Sequence, residues 1–136
     1  MDLGQVPNAQ IATIVRECDA ALFTNRGEGG TNLVAMECMA SGVPCILSAN
    51  TGHLDLIHDD TCLPLERQGK VASVGSFGTE GWGESDVEEA VEALETLWRD
   101  RTRAAEIGLS GSAMMASMSW ADQMQRLKEV ILPYVR

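Results

Sequence analysis

Two carboxylates flank a glycine pair in the first half of the chain, where Glu28 precedes Gly29–Gly30 and Glu37 follows two helical turns later. Between them, Thr31 or Asn32 can cap a helix by accepting hydrogen bonds from its first free amides. Such amides and the helix dipole attract a phosphate or diphosphate, and glycines let it approach the backbone. The amides predicted to face the anion belong to Gly30, Thr31, Asn32 and Leu33.

The two glutamates complement an anion site of this kind. Glu37 shares a helix face with Leu33, and its side chain is expected to lean back toward the N-terminus. Its two oxygens can accept from both hydroxyls of a ribose, with hydrogen bonds of ~1.5–3 kcal/mol each. Glu28 can accept from hydroxyls of a second polyol, so together they predict a nucleotide-sugar site. The alternative is that both are solvated charges, with Glu28 favourably near a helix start.

The elements that must position these residues alternate along the first half of the chain. They are predicted as a helix at 8–18, a strand at 20–24, a loop at 25–30, a helix ending near Ser41 and stopped by Gly42, a strand at 45–48, a short helix at 53–57 and a weaker strand at 61–65. The strands are short and continuously apolar, which is typical of strands buried on both faces of a parallel sheet. The predicted fold class is therefore α/β, with ligands beyond the carboxyl ends of the strands.

The second half of the chain indicates a long loop followed by helical wrapping. Residues 68–84 contain five glycines and few aliphatic residues, which predicts a loop. Ser85 and Glu88 form a predicted capping box for an amphipathic helix that carries Val87, Val91, Leu94 and Leu97. Further helices are predicted at 101–115 and after Ser119, and the helical wrapping covers 85–136.

Composition excludes several classes of protein. The formal net charge of −10 argues against binding nucleic acid or an anionic membrane, and no apolar run is long enough to span a bilayer. The four cysteines lack metal-site spacing, so we expect no metal and no other cofactor. Free thiols in apolar segments and the lack of a signal-peptide pattern favour the cytoplasm.

The segment Glu28–Pro44, EGGTNLVAMECMASGVP, closely resembles the E-G-x-G…E-A-M-A-x-G-x-P segment of retaining, GT-B-fold glycosyltransferases of group 1. The stretches at 2–6, 48–53 and 118–120 resemble neighbouring parts of the same family. The resemblance implies a three-layer Rossmann-like parallel sheet with helices on both faces. It also implies that residues 1–136 are a single partial C-terminal nucleotide-sugar-binding domain, incomplete at its N-terminal side and missing the acceptor-binding domain.

The resemblance carries residue roles to this sequence unevenly. Glu37 matches the glutamate that binds the donor ribose. The glutamate that contacts the donor sugar usually stands where this chain has Gly29, so its catalytic role falls to Glu28 one residue earlier or is left unfilled. The segment that carries the diphosphate-binding Arg and Lys of the family is absent. His53 is either a surface helix residue or a further candidate donor contact, and Trp82 either stacks on a ligand or anchors its loop.

The leading hypothesis is the donor-binding part of an enzyme that transfers a hexose-type sugar with retention, inactive on its own. The alternatives are a non-catalytic binding or interaction module derived from such an enzyme, and part of a nucleotide-sugar epimerase. The strand at 20–24 would lack its family neighbours and form an open edge. We therefore expect a homodimer or larger assembly, joined at this edge or by exchange of N-terminal segments. A monomer in which the N-terminal segment covers the edge is the alternative.

Overall fold

The computed structural model describes residues 4–73 and 78–135, and their fold is mixed α/β. The parallel strands are β1 (Ala21–Phe23), β2 (Cys45–Ser48) and β3 (Leu63–Leu65), and a small ribbon pairs β4 (Gln68–Gly69) with β5 (Glu84–Ser85). The helices are α1 (Asn8–Val15), α2 (Leu33–Ala40), α3 (Val87–Arg99), α4 (Arg101–Ala116) and α5 (Trp120–Ile131). Short 3-10 turns cover Thr51–Asp55, Asp59–Thr61 and Leu132–Tyr134.

The three main strands form a parallel sheet in the order β1-β2-β3. Ala21 pairs with Cys45 and Ile46 pairs with Leu63, so β2 is the central strand. All four residues of β2 are buried, as the continuous apolar run predicted. The prediction of a Rossmann-like parallel sheet is confirmed for this part of the fold.

Helices cover both faces of the sheet because successive strand residues point to opposite sides. On one side Cys45 and Leu47 pack with the buried face of α2, and Val15 of α1 packs against the same cluster. On the other side Ile46 and Leu65 pack with buried residues of α3 and α4. This arrangement gives the three layers expected for a sheet buried between helices.

Two glycines of α4 lie where the helix meets the backbone of neighbouring segments. A β-carbon at Gly108 would overlap the carbonyl oxygen of Gly42, and one at Gly111 would lie 3.0 Å from that of Thr61. Gly42 itself has a φ of 78°, which ends α2 as predicted. Glycine inside a helix ordinarily lowers its stability, whereas these two glycines allow the helix to approach neighbouring backbone closely.

Several predicted boundaries are wrong. α1 ends at Val15, three residues early, and the ends of the predicted 68–84 loop pair as β4 and β5. The cap of α3 is Asp86, whose side chain accepts from the Glu89 amide at 2.9 Å. Ser85 cannot cap because it pairs in β5, and its hydroxyl lies 2.5 Å from that of Ser48.

Only part of the apolar face predicted for α3 is buried. Leu97 and Ala90 are buried, whereas Val87, Val91 and Leu94 are exposed. The helix packs in the core through Leu97 and Ala90, with Ala93 partly buried beside them. The other aliphatic side chains of the predicted face therefore remain at the surface.

Two of the predicted segments extend beyond the residues that the structure describes. Of the stretch at 2–6, which resembles a strand end of the family, residues 2 and 3 lie outside the described residues, and residues 4–6 are irregular. Residues 74–77 of the predicted loop likewise lie outside them. Within the described ranges, no helix is both long enough and apolar enough to cross a bilayer.

The cysteines are free thiols, as expected. Cys18 is exposed, whereas Cys38, Cys45 and Cys62 are buried in the core cluster beside α2. Burial raises the pKa of Cys62 to about 11, and it raises the pKa values of Cys38 and Cys45 as well. These thiols stay protonated at neutral pH and serve as packing groups rather than nucleophiles. In residues 4–73 and 78–135, no group of three metal-ligating side chains comes together.

Candidate functional site

The loops that follow β1 and β2 meet at the carboxyl end of the sheet and are hydrogen-bonded into one unit. The Glu28 amide donates to the Thr51 hydroxyl at 2.7 Å, and the Gly52 amide donates to the Glu28 carbonyl at 3.3 Å. The Asn50 side chain donates to the Asn25 carbonyl at 2.9 Å. The glycine-rich loop therefore takes its shape from the second loop as well as from its own sequence.

The closest approach between these loops occurs at Gly52. A β-carbon there would overlap the carbonyl oxygen of Gly30, whereas β-carbons at Gly29 and Gly30 would meet no atom within 4 Å. The two motif glycines thus border open space that a ligand can occupy. Of these three glycines, Gly52 is the one that the contact between the loops requires, and its local sequence, Asn-Thr-Gly, indicates only a turn.

The start of α2 is organised by Asn32. This residue has a left-handed backbone with φ 59°, and its Oδ1 accepts from the Ala35 amide at 3.2 Å. Asn32 is thus the cap that the sequence left open between it and Thr31. The Thr31 hydroxyl instead donates to the sulfur of Met36 at 3.3 Å. Leu33, the first residue of the helix, is exposed, so the helix start opens toward solvent.

His53 is fully buried and contacts the side chain of Asn32. The Asn32 Nδ2 lies 2.9 Å from His53 Nε2, and His53 Nδ1 lies 3.1 Å from the Ser48 carbonyl oxygen. Since Asn32 Oδ1 is occupied by the cap bond, Nδ2 is the donor to Nε2, and Nδ1–H donates to Ser48. Both ring nitrogens of His53 are therefore engaged within the protein, and its direct contact with a ligand stays a prediction.

The two glutamates of the motif are both accessible. Glu28 is half-buried, and its Oε2 accepts from the Asn25 side chain at 3.4 Å. Glu37 lies on the exposed side of α2 with Leu33, opposite the buried residues of the helix. It borders a cleft of about 310 Å³ between α1 and α2, whose other lining residues are Asn8, Ile11, Ala12, Val15, Arg16, Ala40 and Ser41. Both carboxylates can thus meet a ligand, while the roles assigned to them stay predictions.

A third loop closes over the first glycine of the motif region. The Trp82 indole lies against Gly27, where a β-carbon would come within 2.7 Å of the ring, and Trp82 remains 44% exposed. The Gly83 amide donates to the Arg26 carbonyl at 2.8 Å, and the Arg26 side chain forms an ion pair with Glu84. Trp82 therefore anchors its loop while part of its ring remains open to solvent.

Asn50 joins all three loops, and nothing in the sequence singled it out. Its Nδ2 faces the Asn25 carbonyl, Gln68 Oε1 at 3.0 Å and the Gly83 carbonyl at 3.3 Å. The partners are up to 33 positions away along the chain, so no local pattern reveals them. An asparagine two residues after a buried strand, before a Thr-Gly turn, is the only local signal.

A model of a known protein family matches nearly the whole of the chain. A family model described as "Family 4 Glycosyltransferase in conflict systems" matches residues 7–127. The matched range holds the three parallel strands, the site loops and helices α1 to α4. No curated protein and no solved structure matches the chain.

Proposed function

Because the chain belongs to the family 4 glycosyltransferases of conflict systems, we propose that it forms the C-terminal, donor-binding part of a retaining GT-B-type enzyme. Its ligand is a nucleotide-diphospho-sugar, and the sugar transferred is a hexose. The observation that carries this proposal is the Asn32-capped start of α2, which opens beside Gly29 and Gly30 at the carboxyl end of a parallel sheet.

The proposed donor lies across the site with its diphosphate at the helix start. The exposed Leu33 end of α2 and the open space at Gly29 and Gly30 leave room for the phosphates. Glu37 accepts from the ribose hydroxyls, and Glu28 accepts from the sugar and acts near the reacting carbon. This assignment uses the exposed Glu37, which borders the cleft between α1 and α2, and the half-buried Glu28 of the glycine-rich loop.

We propose that the chain alone transfers no sugar. Departure of the diphosphate needs positive charge, and the basic residue of the glycine-rich loop, Arg26, is paired with Glu84. The acceptor and further cationic side chains would come from an acceptor-binding domain. Turnover of a nucleotide-sugar by the purified chain, measured as release of the nucleoside diphosphate, would contradict this proposal.

We also propose a cytoplasmic location for the protein, which its free thiols support.

Thermal shift with a panel of nucleotides tests the donor site. UDP, GDP and ADP are compared with UMP, GMP and AMP at millimolar concentration. The proposal expects one diphosphate to raise the melting temperature while its monophosphate does not, because only the diphosphate reaches the helix start. The absence of any shift would instead favour an interaction module.

That second candidate has its own structural support. The apolar side chains along one side of α5 are exposed, and they include Trp120, Met124, Leu127 and Ile131. No residue of α5 is buried. An exposed stripe of this kind suits a surface that meets another protein. The nucleotide panel separates this candidate from the donor-binding proposal.

Glu37→Gln provides the most direct test of the ribose contact. The substitution removes the charge without changing the volume, so we expect about tenfold weaker binding of the nucleoside diphosphate. Because Glu37 is exposed, the melting temperature should hardly change. Calorimetry measures the affinity, and Glu17→Gln, an exposed change after α1, is the matched control. Equal affinity in Glu37→Gln and the parent would make Glu37 a solvated surface residue.

We also propose that the chain pairs through its β1 edge. Among the described residues, β1 pairs with β2 alone, and Leu22 is 40% exposed. A largely apolar cleft of about 310 Å³ beside it is lined by residues that include Ala20, Leu94 and Trp98. Unpaired backbone groups next to an apolar groove are a template for a second strand, and a stable contact buries on the order of 2,000 Å².

Light scattering over a dilution series measures this assembly. We expect a dimer mass for the parent and a monomer for Leu22→Lys, because a charged edge opposes pairing. Leu109→Lys, on the exposed side of α4, is the control and should stay dimeric. A parent that has a monomer mass at micromolar concentration and melts cooperatively would exclude the edge-paired dimer.

A further inference from the structure

We infer that His53 is a positioning residue for the donor site: it holds Asn32, and through Asn32 it fixes the direction of the amides at the start of α2. This inference rests on the proposed function for its ligand, and on the contacts between the two loops for its geometry. His53 need not touch the donor to perform this role, because both of its ring nitrogens are engaged within the protein.

The contacts form a continuous chain from the sheet to the helix start. The Ser48 carbonyl, at the end of β2, accepts from His53 Nδ1 at 3.1 Å. His53 Nε2 accepts from Asn32 Nδ2 at 2.9 Å, and Asn32 Oδ1 accepts from the Ala35 amide at 3.2 Å. Each group can fill its place only in one orientation, so the buried strand end determines the orientation of the cap.

Backbone strain in both of the loops that meet here explains why such a constraint is needed. Asn32 has φ 59° and Thr51 has φ 40°, both in the left-handed region that non-glycine residues adopt at a cost. Strained residues of this kind persist when their surroundings over-determine them. Here the hydrogen bond from Asn32 to His53 and that from the Glu28 amide to Thr51 supply the constraint.

The contact also requires a particular form of the imidazole. Nε2 must be unprotonated to accept from the Asn32 amide, so the hydrogen must be on Nδ1. A histidine that merely filled space in the core would have no reason to select this tautomer. The nitrogen chemical shifts of His53, measured by NMR at neutral pH, therefore test the arrangement without any ligand.

Two substitutions separate the two hydrogen bonds of His53. Glutamine can place its amide oxygen where Nε2 lies, so His53→Gln retains an acceptor for Asn32. Asparagine reaches only as far as Nδ1, so His53→Asn retains the bond to Ser48 and leaves Asn32 without an acceptor. His58→Asn, at the exposed second histidine, is the matched control.

Affinity for the nucleoside diphosphate that gives the largest shift in the UDP, GDP and ADP panel is the first readout. We expect about tenfold weaker binding in His53→Asn. The affinity of His53→Gln should stay within about twofold of that of the parent, and the affinity of His58→Asn should not change. Hydrogen exchange of the Ala35 amide is the second readout, and it should be about tenfold faster only in His53→Asn. A purely structural role would lower stability in both variants without separating their affinities.

The outcomes distinguish this inference from the proposed function. Failure of the parent to bind any of the three diphosphates would overturn the proposed function and the ligand part of this inference. Under that result, the tautomer and the Ala35 exchange still decide whether His53 holds the helix start. An Nε2–H tautomer in the parent, or equal loss of affinity in His53→Asn and His53→Gln, would overturn the inference. If His53→Asn does not fold, the tautomer of the folded parent and the affinity of His53→Gln remain decisive.

Discussion

Gly52→Ala is expected to destabilise the protein by about 3 kcal/mol or more and to abolish nucleotide binding at concentrations that saturate the parent. The added methyl group would overlap the carbonyl oxygen of Gly30, so the two loops would have to separate. Separation would break the hydrogen bond from the Gly52 amide to Glu28 and strain that from Glu28 to Thr51. For a chain of this size, the melting temperature should fall by on the order of 10 °C.

Gly30→Ala is the matched control because it adds the same methyl group to the other side of this contact. A β-carbon at Gly30 meets no atom within 4 Å, so we expect the melting temperature to stay close to that of the parent. Nucleotide binding should nevertheless weaken, since the methyl group enters the space proposed for the diphosphate. Calorimetric melting and titration of both variants measure these effects. A stable, nucleotide-binding Gly52→Ala protein would contradict the close approach of the loops.

The sequence predicted the parts of the site that depend on local structure. An apolar strand, a glycine-rich turn, a cap residue and a helix follow one another within 20–41, and each has a known local preference. A cap at Thr31 or Asn32 and the end of α2 at Gly42 were accordingly predicted, and the structure selects Asn32. The buried strand β2 was also predicted, because all four of its residues are apolar or small.

The sequence did not predict the contacts that join the loops to one another. Asn32 and His53 are 21 positions apart, Glu28 and Thr51 are 23 apart, and both contacts exist only because parallel strands bring successive loops to one edge. For the same reason His53 was interpreted as a surface residue or a ligand contact. Burial of a histidine is decided by the neighbours that tertiary structure supplies, and no alternation or spacing encodes it.

The cap of α3 illustrates how tertiary structure also shifts a local signal. Ser85 and Glu88 satisfy the capping-box pattern, and Asp86 and Glu89 satisfy a similar one a single residue later. Pairing of Ser85 with Gln68 in the ribbon excludes the first option. Glu89 then accepts from the amides of Glu66 and Arg67 at 3.0 and 2.8 Å, which joins the helix start to the segment after β3.

The second large effect is expected at Gly108, in the middle of α4. In an ordinary exposed helix, replacing glycine with alanine stabilises by about 0.5–1 kcal/mol, because the unfolded chain loses freedom. At Gly108 the new methyl group would overlap the carbonyl oxygen of Gly42, and it would lie 3.5 Å from the Pro44 nitrogen. This contact reverses the sign, and we expect Gly108→Ala to destabilise by about 2–3 kcal/mol.

The damage should extend from the helix contact to the candidate site. Gly42 ends α2 and leads directly into the buried strand β2, so displacement of its carbonyl moves both elements that carry the site loops. We therefore expect weaker nucleotide binding as well as a lower melting temperature in Gly108→Ala. Leu109→Ala, at the adjacent and 71% exposed position, is the control and should change stability by less than about 0.5 kcal/mol. A higher melting temperature in Gly108→Ala, as for an ordinary helical glycine, would mean that α4 does not contact the Gly42 backbone in this way.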